Sequence, residues 1–137
     1  MAQLVDMNSL LAILRHEIGE LRRIKRELNL IEHIPAIDNF SFVVFYSPYL
    51  KKEHVDSILK SMRESDVVAI ADNHLLAILP GTDKEGAIHL FEGMKDFLSE
   101  EGYYIIVSYP EDGSSCEELL ESLKLYARSM GRSIPAL

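Results

Sequence analysis

The stretch Arg63-Glu-Ser-Asp-Val-Val-Ala-Ile-Ala-Asp-Asn-His-Leu-Leu-Ala-Ile-Leu-Pro80 decides the fold of this 137-residue chain. Two apolar runs, Asp66 to Ala71 and His74 to Leu79, have strand length and strand composition. Between them stand only Asp72 and Asn73. A two-residue connection must place its residues at positive φ, and Asp and Asn tolerate that better than other non-glycine residues. The stretch therefore predicts a helix end at Arg63, a strand, a tight turn and a second strand.

Working upstream, Val55, Ile58, Leu59 and Met62 line one face of a helix, for which Ser47-Pro48 offers an N-cap and first position. Phe40 to Tyr46 is aromatic and β-branched throughout and predicts a buried strand. Before it, apolar residues recur at helical spacing from about Leu4 to Ile34. Leu14, Leu21 and Leu28, with Ile24 and Ile31, form a short heptad seam that suits either the chain's own sheet or a homodimer. Arg22, Arg23, Lys25 and Arg26 solvate the outer face, and Pro35 stops the helix.

Downstream, Thr82-Asp83-Lys84-Glu85 fits a capping box. A helix through Ala87, Leu90, Phe91, Met94, Phe97 and Leu98 follows, ending at Gly102. Tyr103 to Tyr109 predicts a strand and Pro110 to Gly113 a turn. Ser114 with Glu117 opens a last helix that runs to Gly131. The order α-β-α-β-β-α-β-α contains the split βαβ pattern of a ferredoxin-like α/β sandwich. The expectation is one domain over residues 1–137, with an amphipathic helix over 1–35 and a sandwich over 40–133. Its sheet is mainly antiparallel, and helices cover one face or flank it.

Composition narrows the function classes. A formal net charge of −8 argues against nucleic acid and anionic membranes, because phosphate binding needs clustered Lys and Arg. No apolar run approaches the roughly 18 residues of a membrane span. No basic stretch followed by an apolar core marks a signal peptide. One cysteine, Cys116, leaves no internal disulfide and suits a reducing cytoplasm. Its place in the first turn of the last helix would lower a thiol pKa.

The same stretches, taken in order, resemble a GGDEF (diguanylate cyclase) domain. Arg63-Glu-Ser-Asp66-Val-Val-Ala is similar to the segment entering that family's signature hairpin, and Leu76-Ala-Ile-Leu-Pro80 to the strand leaving it. Thr82-Asp83 with Glu85-Gly86-Ala87 resembles the next helix start. Tyr109-Pro-Glu-Asp-Gly113 with Glu118-Leu-Leu120 resembles the turn before the last helix. Ala127-Arg128 and Gly131-Arg132 resemble its end. Asp6 and Leu11 are spaced like the ends of the family's opening Asp-x-Leu-Thr-Gly-Leu, without the residues between. The resemblance implies a nucleotide-cyclase-like sandwich in bacterial signalling.

Family members join two GTP molecules across a dimer with two metal ions, which need hard carboxylate oxygens. Here the first strand ends Val44-Phe45-Tyr46-Ser47, with no acid. The signature becomes Ala71-Asp72-Asn73-His74-Leu75, its acidic positions falling on Asn73 and His74 and its double glycine gone. The guanine-gripping stretch is cut to Ser47-Pro48-Tyr49. The expectation is a catalytically inactive, degenerate module with no catalytic residues, no metal and no cofactor, working by regulation or by contact with a signalling protein in the cytoplasm.

One family feature stays. Arg63-x-x-Asp66 resembles the inhibitory site that binds cyclic di-GMP, where Arg meets phosphate or purine and Asp a guanine edge. This gives the alternative, a cyclic di-GMP receptor. His16 with Glu20, and His54 with Glu53 and Asp56, share helix faces but lack a third metal ligand. Gly81-Thr82-Asp83 reads as a loop and cap, without the Gly-Lys-Ser/Thr end of a phosphate loop.

Overall fold

The computed structural model describes residues 1–27 and 39–134. Its elements are β1 (Gln3–Leu4), α1 (Met7–Glu27), β2 (Phe40–Tyr46), α2 (Lys52–Ser61), β3 (Val67–Ala71), β4 (His74–Pro80), α3 (Lys84–Leu98), β5 (Tyr103–Tyr109) and α4 (Cys116–Ser129). One five-stranded sheet runs in the order β1-β3-β4-β2-β5. The pairs β3–β4, β4–β2 and β2–β5 are antiparallel. Only β1 lies parallel to its neighbour, pairing Gln3 with Val67 and Leu4 with Val68. The α/β sandwich is thus as expected, with a mixed sheet.

The hairpin turns as its sequence requires. Asp72 has φ 50° and Asn73 φ 63°, and Ala71 pairs directly with His74. Both turn residues twist with the right-handed strands, which is why a two-residue loop of this kind holds the register.

Helices cover both sheet faces, where the expectation was helices over one face or flanking the sheet. Side chains alternate along each strand, so a central strand buried on both sides needs a layer on each. Phe42 and Val44 face Leu10, Leu14 and Ile18 of α1 and Leu119, Leu123 and Ala127 of α4. Val43 and Phe45 face Ile58 and Leu59 of α2 and Ala87, Phe91 and Met94 of α3. Each fully buried Phe or Leu contributes about 1.5–3 kcal/mol.

Several boundaries differ from expectation. Leu4 belongs to β1, not to the first helix. Asp6 ends the strand by capping α1, its Oδ1 accepting from Ser9 N at 2.8 Å. Ser47-Pro48 does not start a helix: Ser47 Oγ accepts from Tyr49 N at 3.1 Å and Ser47 O from Leu50 N at 3.2 Å, closing a turn. α2 begins four residues later, after Lys51. α3 is capped by Asp83, whose Oδ1 accepts from Gly86 N at 2.8 Å, and not by Thr82. It ends at Leu98, short of Gly102. α4 is capped by Ser115, not Ser114, and ends at Ser129. Leu14 of the heptad seam is fully buried and Leu21 half-buried on the chain's own core. Leu28, Ile31 and Pro35 lie outside the described residues.

Candidate functional site

The tip of the β3–β4 hairpin meets the end of β2 and the start of β5. Register places Tyr46 opposite His74 on one side and Tyr103 on the other. The Tyr46 and Tyr103 rings stack at 5.3 Å, and His74 packs 4.9 Å from Tyr46. His74 Nδ1 lies 2.8 Å from Asp72 O, and Nε2 lies 3.3 Å from the Tyr103 hydroxyl. A carbonyl can only accept, so Nδ1 carries the proton and Nε2 accepts from Tyr103. Burial pushes the Tyr103 phenol up, which keeps it a donor at neutral pH; the Arg132 guanidinium, 4.7 Å over its ring, opposes this only in part.

Asn73 is also engaged. Its Nδ2 donates to Leu50 O at 3.1 Å, and its carbonyl accepts from Ser47 N at 3.2 Å. Close backbone approach completes the corner: a Cβ at Gly102 would run into the Tyr46 carbonyl.

At the hairpin's base the charged pair closes on itself. Asp66 Oδ2 accepts from Arg63 N at 2.8 Å, and Oδ1 lies 3.3 Å from Arg63 Nη2. The Asp66 side chain is 3% exposed, that of Arg63 55%. Arg63 Nη2 also donates to Pro80 O at 2.6 Å and to Thr82 Oγ1. The pair therefore ties the entry of β3 to the exit of β4.

This architecture has known counterparts. The GGDEF domain of YfiN (TpbB) from Pseudomonas aeruginosa is 15% identical, with TM-score 0.63 over 96% of this chain and 91% of that one. A sensory box/GGDEF family protein from Caulobacter crescentus is 13% identical, with TM-score 0.57 over 95% and 96%. The chain has the fold of a GGDEF domain. No family model and no curated protein matches its sequence.

The sequence resemblance implies a two-metal centre at Tyr46, Asn73 and His74, and such a centre would need carboxylates there. The residues present do not fit one. Tyr46 and Asn73 bring no charge, and both His74 nitrogens are engaged. Tyr103 and Arg132, which complete the cluster, were not singled out in the sequence. Strand register reveals Tyr103, because Tyr46 and Tyr103 pair across 57 residues (103 − 46), and the chain after α4 brings Arg132 over its ring.

The remaining candidates do not come together on the GGDEF-like fold. Glu20 pairs with Arg23 at 2.9 Å. His54 Nδ1 accepts from Lys51 N at 3.3 Å, and its ring meets Phe97 edge-on. Among the described residues no three His, Cys, Asp or Glu side chains could share a metal ion. Cys116 is buried, and that burial pushes its thiol up rather than down, against the expectation from its place in the helix. Among the described residues no helix is long and apolar enough to cross a membrane.

Proposed function

We propose that this chain is a catalytically inactive GGDEF-like module that works in bacterial signalling by contact with another protein. The observation that carries the reading is the carboxylate-free cluster of Tyr46, His74 and Tyr103 at the sheet corner. The sequence resemblance puts the family's metal carboxylates at this corner. Aromatic packing and a His–Tyr hydrogen bond occupy it instead. None of these three side chains is a carboxylate, the group that metal-assisted phosphoryl transfer would need there.

The Arg63-x-x-Asp66 pair is read as an internal clasp. A guanine edge needs an accessible carboxylate, and the Asp66 side chain is 3% exposed with its oxygens turned to Arg63. This weighs against the cyclic di-GMP receptor.

The test is incubation with GTP and magnesium or manganese. No cyclic di-GMP should form above a no-protein control. Turnover that scales with protein concentration would overturn the inactive reading. Calorimetry with cyclic di-GMP at about 100 μM should give no heat, and saturable binding lost in Arg63→Ala would revive the receptor.

A further inference from the structure

β5 is an edge strand. Its hydrogen bonds can be assigned residue by residue. Ser108 N donates to Asp112 Oδ2 at 2.9 Å, and Ser108 O accepts from Asp112 N at 2.8 Å. Ser108 therefore points its backbone groups away from β2, although it sits opposite Ser41. Antiparallel partners alternate between bonded and non-bonded pairs. Ile106 opposite Val43, and Tyr104 opposite Phe45, share the parity of Ser108. Their N–H and C=O groups face outward too. The turn at Asp112 closes the edge at Ser108, and no described strand pairs with the outer side of β5 at Tyr104 and Ile106.

The rim of this edge has a definite chemistry. Lys84 reaches Asp112 at 2.8 Å, and Glu92 accepts from the Tyr104 hydroxyl. Ile88 lies one helical turn from each, so it sits between them along β5. Tyr126 donates to Asp112 Oδ1 at 2.8 Å from the other layer. Ile88 and Tyr126 are each 40% exposed, the apolar contacts that an added strand would use. Glu100 and Glu101 stand exposed before the strand and Glu111 after it. Self-pairing of β5, antiparallel, would set Glu100 and Glu101 beside the second copy's Glu111, acid against acid. A cationic strand meets no such repulsion.

We propose that the outer edge of β5 is a docking strand for an extended basic segment of a partner protein, which adds to the sheet at Tyr104 and Ile106. Main-chain hydrogen bonds supply the register, and the acidic ends select Lys and Arg. The proposal rests on the interaction-module reading; the GTP assay tests that reading without peptide, so the two can fail separately.

The experiment titrates the full chain with a short capped peptide of alternating lysine and valine, followed by amide spectra and anisotropy. Saturable binding should shift and protect the Tyr104 and Ile106 amides. Methylating the peptide's outward-bonding nitrogens should weaken it at least about tenfold, and a glutamate–valine peptide should not bind. Glu100→Lys with Glu101→Lys, both on the surface, should weaken the lysine peptide without unfolding the chain. Ile106→Pro should abolish binding by removing the edge N–H. Equal binding by the methylated peptide, or no binding at about 1 mM, would overturn the proposal. So would protection centred on the apolar groove of about 350 Å³ at Ser57, Gly93 and Phe97, or a dimer through β5.

Discussion

The two ends of the β3–β4 hairpin are only a strand apart and are built from opposite materials. At the base, Arg63 and Asp66 keep their charges and spend them on the chain itself. At the tip, Asn73 and His74 are not acids, and the corner is closed by packed rings and hydrogen bonds to backbone carbonyls. The charged residues at the base also brace the sheet. A buried carboxylate survives where its partners are built into the backbone, because removing it leaves donors unpaired.

The contrast breaks first at Asp66. Asp66→Ala strips the acceptor from Arg63 N and from its guanidinium, and should cost about 2–3 kcal/mol in urea unfolding. Arg63→Ala removes the exposed half of the clasp and should cost about 1 kcal/mol or less. Equal losses would mean that the clasp is a surface ion pair and not an anchored turn.

Asp112 extends the same comparison to the neighbouring turn. Burial pushes its carboxyl up, but Lys84, Ser108 N and the Tyr126 hydroxyl outweigh that and hold it below the usual 3.8. A lowered folded pKa stabilises above the unfolded value and loses that contribution as pH falls through the folded one. Asp112→Ala should cost about 2 kcal/mol at neutral pH. The gap between mutant and parent should close below about pH 4. A gap independent of pH would remove the charge from the explanation.

The smallest effect belongs to the tip. Asn73→Val forces a β-branched residue to φ 63° and should cost about 1 kcal/mol, read by the same unfolding midpoint. An unchanged midpoint would mean that the turn relaxes to another type.

Much of this was legible because its causes are local. Phe40–Tyr46 and Tyr103–Tyr109 alternate or run apolar at strand length, and the structure keeps those bounds. The helix starts slipped by one to four residues, since several Ser, Thr and Asp residues compete for each cap and only the backbone path chooses. Ser47 illustrates this: tied by its N–H to Asn73 O, it turns the chain and cannot also cap a helix.

The sequence by itself determined strands β2 to β5 and the positive-φ turn at Asp72-Asn73. Each depends on residue type, or on neighbours within a few positions. The tertiary structure alone decided that Gln3–Leu4 joins β3, that both sheet faces are covered and that Arg63 bonds Pro80 and Thr82. It alone set Tyr103 beside His74 and Arg132 over the Tyr103 ring. Among these contacts, Arg63 to Pro80 spans 17 positions and Gln3 to Val67 spans 64 (80 − 63 and 67 − 3). They form only when strand register and helix packing bring distant segments together, and no local periodicity encodes that choice.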